Sequence, residues 1–189
     1  MLETGPREGS EIARRALFSP KELSTSIELD GRLLFLNTDW RDILQCVDIM
    51  HDETIDRKVK VISLLQIFVD NYEDIADGQH AINALYEFVN CGVKPPDTKG
   101  LPKEMDWDID FDAIISDMNK ASGKEIRAQP YMHWFTFMSW YHAIGEGNLT
   151  YRVGIRKKIH KHEKLTPDEA DWVRRNPDKI FRQSDDDDF

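Results

Sequence analysis

The sequence predicts a mainly α-helical fold, a helical bundle-like domain with a small N-terminal β-hairpin. Apolar residues recur at helical spacing on both sides of a proline-rich stretch, Gly92 to Met105. One segment, SIELDGRLLFL, has the character of strands, and its Asp30-Gly31 pair readily adopts the positive φ angles of a tight turn. We therefore expect two short strands joined at that pair, with helices in most of the remaining chain.

The composition is typical of a soluble globular protein. The chain has 189 residues, of which 40% are hydrophobic and 32% charged, and its net charge is -10. No apolar run approaches the roughly 18 residues that span a bilayer, so no membrane association is expected. The N-terminus lacks the apolar core of a secretory signal. With only Cys46 and Cys91 present, we expect a reducing cytoplasm and no disulfide framework.

Three helices are predicted before the proline-rich stretch. The first covers 39–51, with Asn37, Thr38 and Asp39 available as N-caps. The second runs from after Thr54 to about Tyr72, and the third follows Asp77 and ends at Gly92. The apolar stripes predicted for these helices are Trp40, Ile43, Leu44, Val47 and Met50; Val61, Leu64, Leu65 and Phe68, widened by Ile62 and Val69; and Ala81, Ile82, Leu85, Phe88 and Val89.

Four further helices are predicted after it. The first begins near Asp110 and stops at Gly123; its acidic entrance, MDWDIDFD, is expected to be solvated, with the interleaved apolar residues packed inward. The aromatic segment from Tyr131 to Ile144 reads as one helix of about four turns, since proline precedes it and glycine follows it. Residues 149–162 are expected to be helical at least in part. In TPDEADWVRR, Thr166 is the N-cap of a capping box, and Asn176-Pro177 ends that helix.

These elements suggest a division of the chain into five parts. We predict a mobile segment at 1–23 and a unit of hairpin and helices at 24–91. A linker is predicted at 92–105, a C-terminal helical region at 106–182 and an acidic disordered tail at 183–189.

The sequence shows no constellation that predicts catalysis, a cofactor or a metal. His133 and His142 lie nine positions apart and so point to opposite sides of a helix. MDWDIDFD is similar to a calcium loop, but Phe111 stands where glycine is needed and Asp117 where a bidentate glutamate belongs. Neither a nucleophile elbow nor a phosphate-binding glycine loop is present. We therefore expect a protein that is not an enzyme.

The charge is distributed unevenly along the chain. Residues 1–151 carry 15 basic and 26 acidic groups, whereas residues 152–182 carry 10 basic and 5 acidic groups. The basic stretch RVGIRKKIHKHEK has three possible counterparts: nucleic acid, an acidic protein surface, or the rest of this chain. Nucleic acid is the least expected, because the aromatic side chains needed to stack bases lie in the preceding helix.

The aromatic helix is apolar around nearly its whole circumference. Such a helix is either central to a packed domain or has one face in the core and another against a partner. Its aromatic residues and the basic stretch are the candidate partner-binding surface. The candidate residues are Trp134, Phe135, Trp140, Arg152, Arg156, Lys157, Lys158 and Lys161.

Several segments, taken in order, resemble a known family. TSIELDGRLLFLNTDWRDIL is similar to the start of a family of tailed-phage proteins from the tail-morphogenesis region. MDWDIDFDAIISDMNKASGKEI, MHWFTFMSWYHAIGEGN, VGIRKK and LTPDEADWVRRNPD follow in that family's order, so the resemblance covers about residues 24–182.

The resemblance implies a gene encoded beside the tape-measure protein and a role similar to that of tail-assembly chaperones. Such proteins are not enzymes, and they bind the tape-measure protein and help tail-tube subunits polymerise around it in the host cytoplasm. Self-association is an alternative use of the same surface. Two other roles remain open, a structural component retained in the virion tail and a nucleic-acid-binding accessory protein.

Overall fold

The computed structural model describes residues 17–19, 21–95 and 104–180, and it confirms the predicted fold class. The described residues form one two-stranded antiparallel sheet and seven α-helices. The predicted acidic tail, most of the predicted linker and residues 1–16 of the predicted mobile segment lie outside the described residues.

The elements alternate with short connections. The strands are β1 (Ser26–Leu29) and β2 (Arg32–Phe35). The helices are α1 (Trp40–His51), α2 (Arg57–Phe68), α3 (Gly78–Val89), α4 (Trp107–Ser122), α5 (Trp134–His142), α6 (Asn148–His160) and α7 (Pro167–Arg175), and three-residue 3₁₀ turns occur at Tyr72–Asp74, Ile126–Ala128 and Pro177–Lys179.

The chain forms two compact units. The first contains the described residues up to 95 together with Tyr131–Phe137, and the second contains the remaining described residues. The described residues of the first unit before the gap end at 95, and those of the second unit begin at 104. Residues 131–137 belong to the first unit again. The predicted division of the chain placed them in the C-terminal helical region at 106–182.

The hairpin has the predicted turn. Asp30 and Gly31 have φ angles of 52° and 73°, and Leu29 pairs with Arg32 immediately beside them. Ile27 pairs with Leu34, and both side chains are buried. Two-residue turns with positive φ match the twist of the flanking strands, which is why this dipeptide fixes the pairing.

Aspartates begin the three helices of the first unit. The side chains of Asp39, Asp56 and Asp77 accept hydrogen bonds from backbone N–H groups in the first turns of α1, α2 and α3. Helix α2 ends at Phe68, short of the predicted Tyr72, because Val69 is extended and forms an isolated bridge with Leu36.

Not every residue of the predicted apolar stripes is buried. Leu64, Leu65 and Phe68 of α2 are buried as predicted, but the prediction that Ile62 widens the buried face is wrong, since Ile62 is 56% exposed.

The first unit is built around aromatic rings. The Phe88 ring lies 5.0 Å from Phe18, 5.4 Å from Phe68 and 4.9 Å from Phe135, and Trp40 stacks on Phe137 at 4.8 Å. Phe18 falls in the segment predicted to be mobile, yet its side chain is 1% exposed and its N–H donates to Glu87 Oε1 at 3.1 Å. The described part of that segment therefore contributes to the core.

Helix α5 is shorter than predicted because its N-terminal residues are extended. Met132 C=O accepts the Trp40 N–H at 3.0 Å, the Trp134 N–H donates to Thr38 C=O at 2.7 Å, and Asp39 and His133 form a bridge. These backbone groups pair with a distant segment and are not available for a helical turn. The helix consequently begins at Trp134, and the prediction that it starts at Tyr131 is wrong.

In the second unit, α4 packs against α6. Asp106 caps α4 by accepting from Asp108 and Ile109 N–H groups, so the helix begins three residues before the predicted start, and Gly123 ends it with φ of 68°. The acidic entrance is not solvated throughout, since Asp106 is 6% exposed and Asp110 0%. The prediction that the acidic entrance is solvated is therefore wrong for Asp106 and Asp110.

Two different caps begin α6 and α7. The Asp117 carboxylate of α4 accepts the Leu149 N–H at 2.8 Å, so a side chain from another helix caps α6. Thr166 and Glu169 form the predicted capping box of α7: Thr166 Oγ1 accepts from Glu169 N–H at 3.3 Å, and Thr166 N–H donates to Glu169 Oε2 at 2.8 Å.

The cap of α6 generates a stability prediction. A Cβ at Gly147 would lie 2.5 Å from the Asp117 carboxylate, whereas a Cβ at Gly154, inside α6, would meet nothing within 4 Å. We expect Gly147→Ala to lower the free energy of unfolding by about 1–3 kcal/mol through overpacking. The matched control, Gly154→Ala, should raise it by about 0.5–1 kcal/mol, because alanine favours helix. Urea denaturation measures both, and a stable Gly147→Ala protein would contradict the assigned cap.

Candidate functional site

The aromatic segment places its first rings in the core of the first unit. Trp134, Phe135 and Phe137 are at most 5% exposed. The Trp134 Nε1–H donates to the Val89 carbonyl at 2.9 Å, so the polar atom of the indole is satisfied inside the protein. The rings of Trp134 and Phe135 are packing surface in this structure.

His133 ends the extended segment and begins α5. Its Nδ1 accepts the Phe135 N–H at 3.0 Å, and its Nε2 lies 3.1 Å from the Ser24 carbonyl. Because Nδ1 accepts, the proton of the neutral ring is on Nε2 and is donated to Ser24. Burial lowers the pKa of His133, partly offset by the hydrogen bond to Ser24, so the neutral ring is favoured. Both ring nitrogens are thus used within the first unit.

The two arginines of the basic stretch are directed into an acidic face of α4. Arg156 donates to both carboxylate oxygens of Asp110, with Nη1–Oδ2 at 2.5 Å and Nη2–Oδ1 at 2.8 Å. The same guanidinium donates to the carbonyls of Glu104 at 3.0 Å and Lys179 at 2.6 Å. Asp110 also accepts the Asp106 N–H at 3.0 Å. The buried pair of Asp110 and Arg156 therefore connects α4 with α6, and the Arg156 guanidinium also connects α6 with the turn at Pro177–Lys179.

Arg152 repeats this pattern one turn earlier. It makes a two-pronged pair with Asp112, with Nη1–Oδ1 at 2.8 Å and Nη2–Oδ2 at 2.9 Å, and donates to the Ile109 carbonyl at 3.1 Å. The Arg152 hydrogen bonds lower the pKa of Asp112 to about 2. Of the three counterparts considered for the basic stretch, the structure pairs these two arginines with the protein's own α4.

The lysines of the stretch are more accessible. Lys157 Nζ lies 3.0 Å from Glu104 Oε2, and Lys158 Nζ lies 2.6 Å from Glu169 Oε1. Lys157 and Lys161 are exposed, while Lys158 is half-buried. Trp140, in the last turns of α5, is also half-buried. Among the eight candidate residues, Trp134, Phe135, Arg152 and Arg156 are therefore buried in intramolecular contacts, and the other four reach the surface.

The structure reveals an apolar surface that the sequence analysis did not single out. We call it the hairpin face, defined as the solvent side of the sheet formed by Ser26, Glu28, Leu33 and Phe35. Leu33 is 53% and Phe35 50% exposed, whereas Leu34 between them is 1% exposed. Leu33 lies opposite Glu28, and Phe35 lies opposite Ser26. The signal in the sequence is the run RLLFL, which is apolar at successive positions and not only at the alternate positions of a strand with one buried side.

The second unit has a shallow groove with an apolar wall. It has a volume of about 440 Å³ and lies between the end of α5 and the first turns of α6. Tyr141, Ile144, Leu149 and Val153 contribute apolar atoms to it, and Lys157 lies at its edge. Tyr141 also packs against Trp107, with ring centroids 5.2 Å apart.

The two cysteine thiols are unreactive at neutral pH because they are buried or half-buried. Burial raises the pKa of the Cys46 thiol to about 12 and that of Cys91 to about 11, so both stay protonated at neutral pH. Within residues 17–19, 21–95 and 104–180, histidine, cysteine and acidic side chains do not gather in groups of three that could hold a metal ion. Over the same ranges, no helix is both long and apolar enough to cross a bilayer.

The buried pair generates the second prediction. Replacing Arg156 by methionine leaves Asp110 charged, buried and without its main partner, so we expect a loss of about 3–5 kcal/mol in the free energy of unfolding. The control on the same helix is Lys157→Ala, which removes an exposed pair with Glu104 and should change stability by less than about 1 kcal/mol. Urea titrations followed by circular dichroism would measure both. Equal effects would show that Asp110 does not depend on Arg156.

A third prediction concerns pH. Because the pKa of His133 is lowered on folding, its contribution to stability is complete above the unfolded value of 6.5 and is lost as the pH falls below it. His80, in contrast, has its pKa raised by its hydrogen bond to Asp30, so its contribution is complete below the unfolded value of 6.5 and is lost as the pH rises through the raised pKa of the folded protein.

Two variants separate these opposite slopes. His133→Asn keeps an acceptor for the cap but cannot titrate, so its stability should fall less than that of the unmodified protein between pH 7 and about pH 5. His80→Gln removes a contribution that is lost above pH 6.5, so its stability should fall less than that of the unmodified protein as the pH rises from 6.5 to about 8. Thermal unfolding at a series of pH values is the measurement, and identical curves for all three proteins would contradict the assignment.

Comparison with known proteins gives a family match for the chain. The family described as Bacteriophage Gp15 protein matches residues 20–178, which include both compact units and nearly all described residues. No curated protein and no solved structure matches the chain. The match covers most of the sequence, and it supports the phage origin that the order of motifs suggests. The chain belongs to the Bacteriophage Gp15 protein family.

Proposed function

We propose that this phage protein is a non-enzymatic tail morphogenesis factor. It would act as a tail-assembly chaperone that binds the tape-measure protein, the tail-tube subunits or both in the host cytoplasm. The proposal begins from the order of sequence segments similar to tail-morphogenesis proteins. Membership of a bacteriophage family is compatible with it.

The observation that carries the proposal is the hairpin face. Half of each of two large apolar side chains is exposed on a short, hydrogen-bonded sheet, in a protein with a net charge of -10. Apolar surface of this kind is found where proteins bind other proteins. A high net charge keeps the binding protein soluble while an aggregation-prone partner is attached to it. This combination is compatible with a chaperone for an aggregation-prone partner.

The buried arginines favour a protein partner over nucleic acid. Arg152 and Arg156 are 8% and 5% exposed and are paired with Asp112 and Asp110. They are therefore not available to phosphate groups unless α6 separates from α4. This leaves fewer cations for a phosphate-binding row than the sequence suggests.

Co-expression tests the proposal. The protein is expressed with the tape-measure protein and, separately, with the tail-tube protein of the same phage. We expect a larger soluble fraction of at least one of them and its co-purification, because the apolar segments of the partner would be covered. An unrelated acidic helical protein serves as the control for non-specific solubilisation. If neither partner co-purifies and their solubility is unchanged, the chaperone proposal fails.

Mass spectrometry of purified virions distinguishes the alternative role. A chaperone that acts only during assembly should be absent or substoichiometric in mature particles. A fixed number of copies per tail would instead support a structural component of the tail.

A further inference from the structure

We infer that the hairpin face docks a positively charged amphipathic segment of a partner protein, one whose apolar side chains are flanked by lysine or arginine. This inference names the binding surface for the proposed chaperone, and the identity of its partner rests on that proposed function. The apolar character and positive charge of the segment follow from the side chains of the hairpin face and its neighbours.

The apolar part of the hairpin face is held rigidly. The Phe35 N–H donates to Asn71 Oδ1 at 2.9 Å, and the Phe35 carbonyl accepts the Asp70 N–H at 2.9 Å. Asn71 Nδ2 donates in turn to the Leu33 carbonyl at 3.1 Å. Asn71 and Asp70 therefore satisfy the outer edge of β2, as a third strand would. Binding to such a surface requires little ordering of the backbone, so less of the interaction energy is lost.

Carboxylates flank both sides of the apolar pair. Glu28 lies directly opposite Leu33 on β1, and Asp70 adjoins Phe35 through the backbone hydrogen bond. Burial and the charge of Asp39 raise the pKa of Asp42; the charge of Arg41 lowers it, and that of Asp70 raises it further. Within the described residues, Glu28, Asp42 and Asp70 form no ion pair.

Two arginines of the first unit, Arg41 and Arg32, have partners of their own. Arg41 pairs with Asp39, with Nη1–Oδ1 at 3.0 Å, and Arg32 donates to the Asp74 carbonyl at 2.9 Å. The described residues of the first unit carry 7 basic and 14 acidic side chains, so the unit that presents the hairpin face has a net negative charge. A partner with lysine or arginine beside its apolar side chains can pack the apolar side chains against Leu33 and Phe35. Its positive charges can then pair with Glu28 and Asp70.

A second copy of this chain fits the hairpin face less well. Two copies meeting face to face would bring Glu28 and Asp70 of one copy towards the same carboxylates of the other, and like charges in contact oppose association. The charge of the surface thus favours a cationic partner of a different sequence over self-association.

A peptide-binding experiment tests the inference on the full chain. The probe is a fluorescent amphipathic peptide of leucine and lysine, and its matched control replaces each lysine with glutamate. We compare the unmodified protein with Leu33→Thr/Phe35→Thr, which keeps strand-favouring residues, and with Glu28→Gln/Asp70→Asn, which removes charge alone. The matched control variant is Val59→Thr/Ile62→Thr on α2, where the exposed fractions of 55% and 56% are similar.

The expected pattern is specific to the hairpin face. The affinity for the leucine–lysine peptide should fall at least about tenfold in Leu33→Thr/Phe35→Thr and severalfold in Glu28→Gln/Asp70→Asn, and should not change in the α2 control. Added salt should weaken binding, and the leucine–glutamate peptide should bind far less. Equal losses in all variants, or none, would overturn the inference, provided that circular dichroism shows each variant to be folded.

Two further results separate the inference from the proposed function. If the tape-measure protein co-purifies equally with the unmodified protein and with Leu33→Thr/Phe35→Thr, the hairpin face is not its docking site, although the chaperone function stands. If neither the tape-measure protein nor the tail-tube protein co-purifies but the peptide pattern is observed, the inference stands and the proposed function fails. A dimer that Leu33→Thr/Phe35→Thr converts to a monomer in sedimentation analysis would assign the face to a second copy and overturn the inference.

Discussion

The second unit depends on how one buried charge is neutralised. Asp110 is fully buried, and an ionised carboxylate in that position would be strongly destabilising without partners. Arg156 provides two short hydrogen bonds, and its remaining donors reach the carbonyls of Glu104 and Lys179. These contacts can form together only when α4, α6 and the residues after α7 occupy one arrangement. The pair therefore specifies the packing of this unit as well as stabilising it.

The first unit follows a related principle with neutral groups. Side chains from distant positions satisfy backbone groups at the ends of its elements. Asn71 bonds both the N–H of Phe35 and the carbonyl of Leu33. His133 bonds both the carbonyl of Ser24 and the N–H of Phe135. Because buried backbone groups without partners are destabilising, such side chains determine where strands and helices stop. The aromatic rings then fill the space that these ends enclose.

Those features of the fold that depend on neighbouring residues could be predicted from the sequence. The Asp30-Gly31 turn and the capping box of Thr166 and Glu169 each have all their signals within four consecutive residues. The start of α5 could not be predicted, because it is set by backbone bonds from Thr38 and Trp40, more than ninety positions away. The burial of Asp110 depends in the same way on Arg156, 46 residues later. Helical periodicity assigned acidic residues to solvent because it contains no information about such partners.

The candidate site shows the same division. The sequence indicated correctly that aromatic residues of Tyr131–Ala143 form packing surface, and it left open whether the basic stretch faces this chain. It did not indicate the hairpin face, because a strand that is apolar on both sides resembles a strand buried on both sides. The exposure of Leu33 and Phe35 becomes apparent only when the elements covering the opposite side, at Leu34 and Leu36, are known.

The return of residues 131–137 to the first unit has a consequence for biosynthesis. Trp134, Phe135 and Phe137 are core residues of a unit whose other described residues end at 95. A ribosome translating this chain releases the hairpin and the first three helices well before it releases these three rings. The aromatic core of the first unit therefore stays incomplete until these rings are made, which is after all of α4 has been synthesised.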